Sequence, residues 1–215
     1  MTQDRALDLC AHDSRRSGED PIGSAGRWDH AFRVELSLAA WDRFRDPDAW
    51  SPRRRDLMTR VAERTKATGV GHGLLLTATD EAGDRVRRVT HYARPARRFA
   101  AYVRTDHDTD EDGLLDLMED ALLGDRVLPE DAPAPPDATL DLHVCTHGRV
   151  DAACGKLGYP LFSELRDRLP EADVWRNGHF GGHRFAPTLV ELPAGRAWGH
   201  LTPDVATGIA RRTLA

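Results

Sequence analysis

The chain has 215 residues, with 30 Lys and Arg against 35 Asp and Glu and a formal net charge of -5. That charge gives no global basic field for nucleic acid or an anionic membrane, and no stretch approaches the roughly 18 apolar residues of a membrane span. The start, MTQDRALDLCAHD, has neither the basic opening nor the apolar core of a signal peptide, so a cytoplasmic location is expected. Three cysteines, Cys10, Cys145 and Cys154, are too few for a disulfide framework and leave metal binding or redox chemistry as the use of the close pair.

In chain order, Phe32, Val34, Leu36 and Leu38 alternate with Arg33, Glu35 and Ser37, which is strand period. Ser51-Pro52 reads as an N-cap and first-turn proline opening a helix to about Thr65. Residues 73–81 and 97–105 read as strands and 113–123 as a helix. No internal repeat at fixed period is visible. VLPEDAPAPPDA, residues 127–138, is too rich in proline for a helix or a central strand and reads as a linker. It divides an N-terminal α/β half, 1–126, from a second unit, 139–215. In the second unit, 139–145 reads as a strand and 154–169 as a helix with Pro160 as kink or start. Residues 172–180 begin extended. APTLVELP and RAWGHL read as a hairpin through Ala194-Gly195, and a last helix is capped by Thr202 with Pro203 in its first turn. The order β-α-β-β-β-α predicts an α/β layer with helices packed on a sheet.

Four candidate ligands fall in that unit. Cys145 ends the first strand, Cys154 starts the next helix, and His179 and His183 follow in HFGGHRF. A strand end and the following helix start face one crevice, and the positive end of a helix favours a thiolate, expected here at Cys154, with Arg149 and Lys156 adding to the effect if they point inward. Histidines four apart share a helix face in zinc proteases. Gly181 and Gly182 would each cost about 1 kcal/mol in such a helix, and no glutamate follows His179. HFGGH therefore reads as a loop whose glycines let the backbone pass close to something larger than a bare ion. Taken singly, each residue also has an ordinary reading: a buried strand cysteine, a helix-start cysteine, two loop histidines.

C-T-H-G-R-x-D-x-x-C (Cys145 to Cys154) followed by H-F-G-G-H-R-F-A-P (His179 to Pro187) resembles the sucrase/ferredoxin-like family of thioredoxin-like ferredoxins. The resemblance is strong from about Asp141 to Val190. It is looser before, where Cys10, SGEDPIGSAG and WDHAFRVEL carry it. It implies a thioredoxin-like layer over 139–215, a 2Fe-2S cluster, and Cys145, Cys154, His179 and His183 as its ligands. Where family members often carry a further cysteine beside the second ligand, this chain has Ala153. His147 is expected beside the cluster without ligating it, and His143 and His200 to be ordinary. Two neutral imidazoles in place of two thiolates raise the potential to roughly -150 to +300 mV, from about -400 mV for all-cysteine clusters. With no nucleophile, base and oxyanion hole in view, the expectation is an electron carrier with proton-coupled one-electron redox and an unidentified redox partner protein.

Two alternatives use the same residues: a structural Cys2His2 zinc site, and a reversible disulfide between Cys145 and Cys154, which lack C-x-x-C spacing. A separate signal, DTDEDGLLDLME at 108–119, fits a calcium loop with Asp108, Asp110, Asp112, Asp116 and Glu119 as oxygen donors, Leu114 giving a carbonyl and Gly113 the turn. A strand precedes it and no second loop pairs with it, so the favoured reading is an acidic first turn of a helix. The basic runs SPRRRD and RPARR are expected to be solvated.

Overall fold

Eight strands form one mixed sheet in the order β4-β3-β1-β2-β6-β5-β7-β8 in a computed structural model that describes residues 9–79, 81–96, 100–124 and 140–213. The stretch expected as a linker, 127–138, lies outside the described residues. The strands are β1 (His30–Glu35), β2 (His72–Ala78), β3 (Arg88–Ala93), β4 (Val103–Asp108), β5 (Asp141–Cys145), β6 (Asp173–Asn177), β7 (Leu189–Leu192) and β8 (Arg196–Trp198). The helices among the described residues are α1 (Cys10–Arg16), α2 (Ala40–Arg45), α3 (Pro52–Thr68), α4 (Glu111–Leu123), α5 (Tyr159–Arg168) and α6 (Pro203–Ala210).

Local chemistry sets the helix ends. The Ser51 hydroxyl accepts from the Arg54 N–H at 3.2 Å, and α3 closes at Gly69, whose φ of 74° is left-handed. Thr202 caps α6 in the same way through the Val205 N–H. Asp110 caps α4 through the Gly113 N–H at 3.0 Å. β3 was not evident in the sequence, and β4 begins at Val103, later than expected. β4 is an edge strand of polar sequence, VRTDHD, so it shows no apolar alternation to read.

The sheet contains the same topology twice. β1 and β2 are parallel, β1 and β3 antiparallel, β3 and β4 antiparallel. β5 and β6, β5 and β7, and β7 and β8 repeat those relations. Helices occupy matching places: α2 and α3 between β1 and β2, α5 between β5 and β6, and α4 and α6 after the last strands. The C-terminal half thus has the expected β-α-β-β-β-α order, and the N-terminal half follows it with no repeat visible in sequence. The two second strands meet antiparallel at Thr77 opposite Asn177 and Ala78 opposite Arg176, which makes one sheet of both.

Register puts Phe32, Val34, Leu76, Leu142 and Val144 on one face. There α3 and α4 bury Leu57, Val61, Leu115 and Met118 against the first set of strands, and α5 and α6 bury Leu161, Leu165 and Ala206 against the second. The other face carries Ala31, Leu75, Tyr92, Val190 and Leu192 under Tyr102 and Trp28. A polar seam crosses this face. Buried Asp141 accepts from Tyr92 Oη at 2.7 Å, Trp175 Nε1 at 2.7 Å and Arg104 at 3.1 Å. Buried Asn177 donates to the Leu76 carbonyl and to Thr77 Oγ1, each at 3.2 Å. Both residues tie the halves together with satisfied hydrogen bonds, as buried polar groups require.

Arg54 departs from the solvated face expected of SPRRRD. It is buried, 3.9 Å above the Phe44 ring and 4.6 Å above Trp50, with Glu111 at 3.2 Å. Arg53 beside it pairs with Asp112 and Asp116. Those pairs, with Arg60 to Glu119 at 2.8 Å, also engage three of the carboxylates of the calcium-loop pattern. Gly113 lies inside the first turn of α4, and the pattern is an acidic helix start.

Candidate metal centre

β5 ends at Cys145, the loop Thr146–Asp151 turns back, and a helix begins over it at Ala152. After Ala153 it widens into a π-helical turn, Cys154–Gly158, that runs into α5, with Pro160 in the first turn of α5. Wide turns of this kind often occur at functional sites. Glycine is required at the contact: a Cβ on Gly158 would stand 1.9 Å from the Cys145 carbonyl oxygen, and one on Gly155 2.8 Å from the Gly148 Cα. This close approach brings the two cysteines together, and both are fully buried.

His179 completes the group. Its Nδ1 lies 3.7 Å from Cys145 Sγ and 3.5 Å from Cys154 Sγ, and the ligand atoms of the three residues lie within 4.8 Å of one another. Three soft or borderline donors at that spacing are arranged to hold a thiophilic metal. His183 stands one step outward. Its ring is 5.8 Å from that of His179, its side chain is 47% exposed, and it groups instead with Cys10 and Asp151. Gly181 and Gly182, at φ of 106° and 72°, make the turn that separates the two rings. The expected loop is present and ends in the short 3-10 turn His183–Phe185.

The two thiols share one charge. Hydrogen bonds from Cys154 and then His179 hold Cys145 well below the ordinary thiol range. The Cys145 sulfur, burial and the Asp151 carboxylate push Cys154 up. The pair is therefore set to hold one thiolate between the two sulfurs, with a bond from Cys154 to Cys145. The basic residues expected to help at the helix start do not face inward. Arg149 is 81% exposed and pairs with Asp42 at 2.7 Å, and Lys156 is exposed.

Supports come from both halves. His147 Nδ1 accepts from the His179 backbone N–H at 3.5 Å, and its Nε2 bonds Asp42 Oδ1 at 2.8 Å while its ring meets Trp41 edge-on. Arg45 donates to the His179 carbonyl. His147 thus stands beside the group and steadies it, as expected. His143 is buried with its Nδ1 2.9 Å from Asn177 Oδ1, and His200 bonds Ser14 and Arg15. Sequence reasoning gave no signal for Asp42 or Arg45, which act across more than a hundred residues. It gave Cys10 only a place in the looser N-terminal part of the family resemblance. Helix α1 packs on the His183–Phe185 turn and brings Cys10 there, where burial and Asp151 push its thiol up.

All three cysteines are free thiols. Among the described residues no helix is long and apolar enough to cross a membrane. The family described as sucrase/ferredoxin-like matches residues 23–215. Among characterised proteins, altered inheritance of mitochondria protein 32 of Debaryomyces hansenii is 30% identical over 80 residues, taking in 33% of this chain and 29% of that protein. The chain therefore aligns with less than a third of that relative's length. No solved structure matches.

Proposed function

The chain belongs to the sucrase/ferredoxin-like family, and on that footing we propose that it is a one-electron carrier holding a 2Fe-2S cluster through Cys145, Cys154, His179 and His183. The observation that carries the proposal is the division of the donors. A single tetrahedral ion, about 2.0–2.3 Å from each of four ligands, needs all four donor atoms in one tight group. Here His183 stands apart from the other three, which favours a centre extended over two metals.

Such a cluster, when bound, supplies a one-electron couple at a potential above the all-cysteine range. The residues do the rest. Cys145 and Cys154 are sealed from water. His147, Asp42 and Arg45 fix the backbone of His179 from outside the donor set. His183 Nε2 lies 3.9 Å from Asp151 Oδ2, and the side chain is half-exposed. As a ligand, this imidazole would present a ring N–H to water, the route by which electron uptake would couple to proton uptake. The acceptor and donor are redox proteins of a reducing compartment such as the cytoplasm, in keeping with three free thiols.

The test is the visible spectrum of anaerobically purified protein, with iron and acid-labile sulfide assayed on the same sample. The expected result is a red-brown protein with about two irons and two sulfides per chain, lost in Cys154→Ser and altered in His183→Ala, with a potential that falls as pH rises. A colourless protein with stoichiometric zinc on Cys145, Cys154 and His179 would replace this reading with a structural zinc site. A potential flat into alkaline pH would remove the proton coupling.

A further inference from the structure

On the face of the sheet opposite α3 to α6, beside the HFGGH loop, lies a cavity of about 360 Å³, within the roughly 300–1,000 Å³ of small-molecule sites. Its walls are built from aromatic side chains of three distant segments: Trp28 before β1, Phe180 and Phe185 around the loop, and Trp198 in β8. Glycines keep it open. Gly195, at φ 68°, has no Cβ, and one there would stand 2.2 Å from the Tyr102 ring. Gly182 faces the cavity as well.

Two polar features in this apolar space point to a ligand. Thr188 is 6% exposed and lines the cavity, and its Oγ1 has no hydrogen-bond partner among the described residues. A buried hydroxyl without a partner forfeits the hydrogen bonds it had in water, a loss that a ligand acceptor or donor makes good. Arg94 is half-buried in the wall. Its guanidinium donates to Tyr102 Oη at 2.8 Å and 3.1 Å, and among the described residues it has no carboxylate partner. The other wall cation, Arg196, is 54% exposed and faces Glu191 at 4.0 Å. Among the described residues no acidic side chain lines the cavity. A half-desolvated guanidinium without a counter-ion selects for an anion, most strongly a planar one it can meet with two N–H groups.

We propose that this cavity binds a flat aromatic molecule carrying an anionic group, its ring between the aromatic walls, its anion on Arg94 and a polar atom on Thr188 Oγ1. The inference stands without the cluster, because none of the four candidate metal ligands lines the cavity.

Isothermal titration of the full chain with 2-naphthoate and with its neutral counterpart 2-naphthamide tests it, with 2-naphthyl phosphate distinguishing a carboxylate ligand from a phosphate. The expected result is saturable one-to-one binding of at least one anion, at least tenfold tighter than the amide. Arg94→Met should bring anion and amide to within about twofold, Thr188→Val should weaken every probe, and Ala197→Trp, which fills the cavity from β8, should abolish binding with circular dichroism unchanged. Equal affinity for anion and amide in the unaltered chain, no saturation at millimolar probe, or binding that survives Ala197→Trp would each overturn the proposal. The first and last of these hold even if Arg94→Met fails to fold.

Discussion

Replacing Gly158 by alanine sets two effects of opposite sign against each other. Helix propensity alone favours alanine by about 0.8–1 kcal/mol. Against it, the added Cβ stands 1.9 Å from the Cys145 carbonyl oxygen. A carbon–oxygen contact needs about 3.3 Å, so the π-turn or the end of β5 must retreat by roughly 1.4 Å. Both partners are backbone, so no side chain can swing aside, and overpacking of this kind costs about 1–3 kcal/mol. A backbone overlap this deep belongs in the upper part of that range, about 2–3 kcal/mol, so the steric effect wins with an expected net loss of about 1–2 kcal/mol. The retreat also opens the gap between Cys145 and Cys154. Urea unfolding of the reduced, metal-free protein reads the first consequence. A cobalt titration, followed in the thiolate-to-metal charge-transfer band, reads the second. The expected outcome is a lower unfolding midpoint and at least a tenfold loss of cobalt affinity, equivalent to about 1.4 kcal/mol. A variant as stable as the parent, with unchanged cobalt affinity, would refute the claim that this contact sets the thiol pair.

Further outcomes follow from the same structure. Under reductant and without metal, ultraviolet titration should show one thiolate per chain ionising below the ordinary thiol range, and Cys145→Ser or Cys154→Ser should each move the remaining ionisation back up, because the bond between the two thiols is what lowers it. Asp141→Ala strands the donors of Tyr92, Trp175 and Arg104 and should cost about 3–5 kcal/mol in urea unfolding, the range for breaking a buried charged network; a loss below about 1 kcal/mol would show the seam to be dispensable. Burial and then His30 hold His91 down to about 4. The unfolded chain therefore takes up a proton near pH 6.5 while the folded chain does not, and stability falls as pH drops from about 6.5 to about 4, by on the order of 3 kcal/mol. His91→Phe, which keeps the stack on Phe32, should make that acid limb shallower and leave the share contributed by His143, which burial also holds down to about 4. Calcium at millimolar concentration should leave the melting temperature unmoved, because Asp112, Asp116 and Glu119 are held by Arg53 and Arg60; a calcium-dependent rise would restore the loop reading.

The sequence by itself determined what is encoded locally. Ser51 and Thr202 cap the helices they announce, because a cap is a contact within three residues. The glycines of HFGGH dictate a loop, since residues at φ of 106° and 72° lie outside a helix. Cys145, Cys154, His179 and His183 were legible as candidates from type, spacing and a family resemblance. Tertiary structure decided what depends on distance. It drew Cys145, Cys154 and His179 together and set His183 outward beside Cys10 and Asp151. It brought Asp42 and Arg45 of one half onto the loops of the other, and it revealed a topology repeated without visible sequence repeat. Strand order needs only apolar patterning, which many sequences satisfy, whereas a contact across a hundred residues leaves no periodic trace in the chain that makes it.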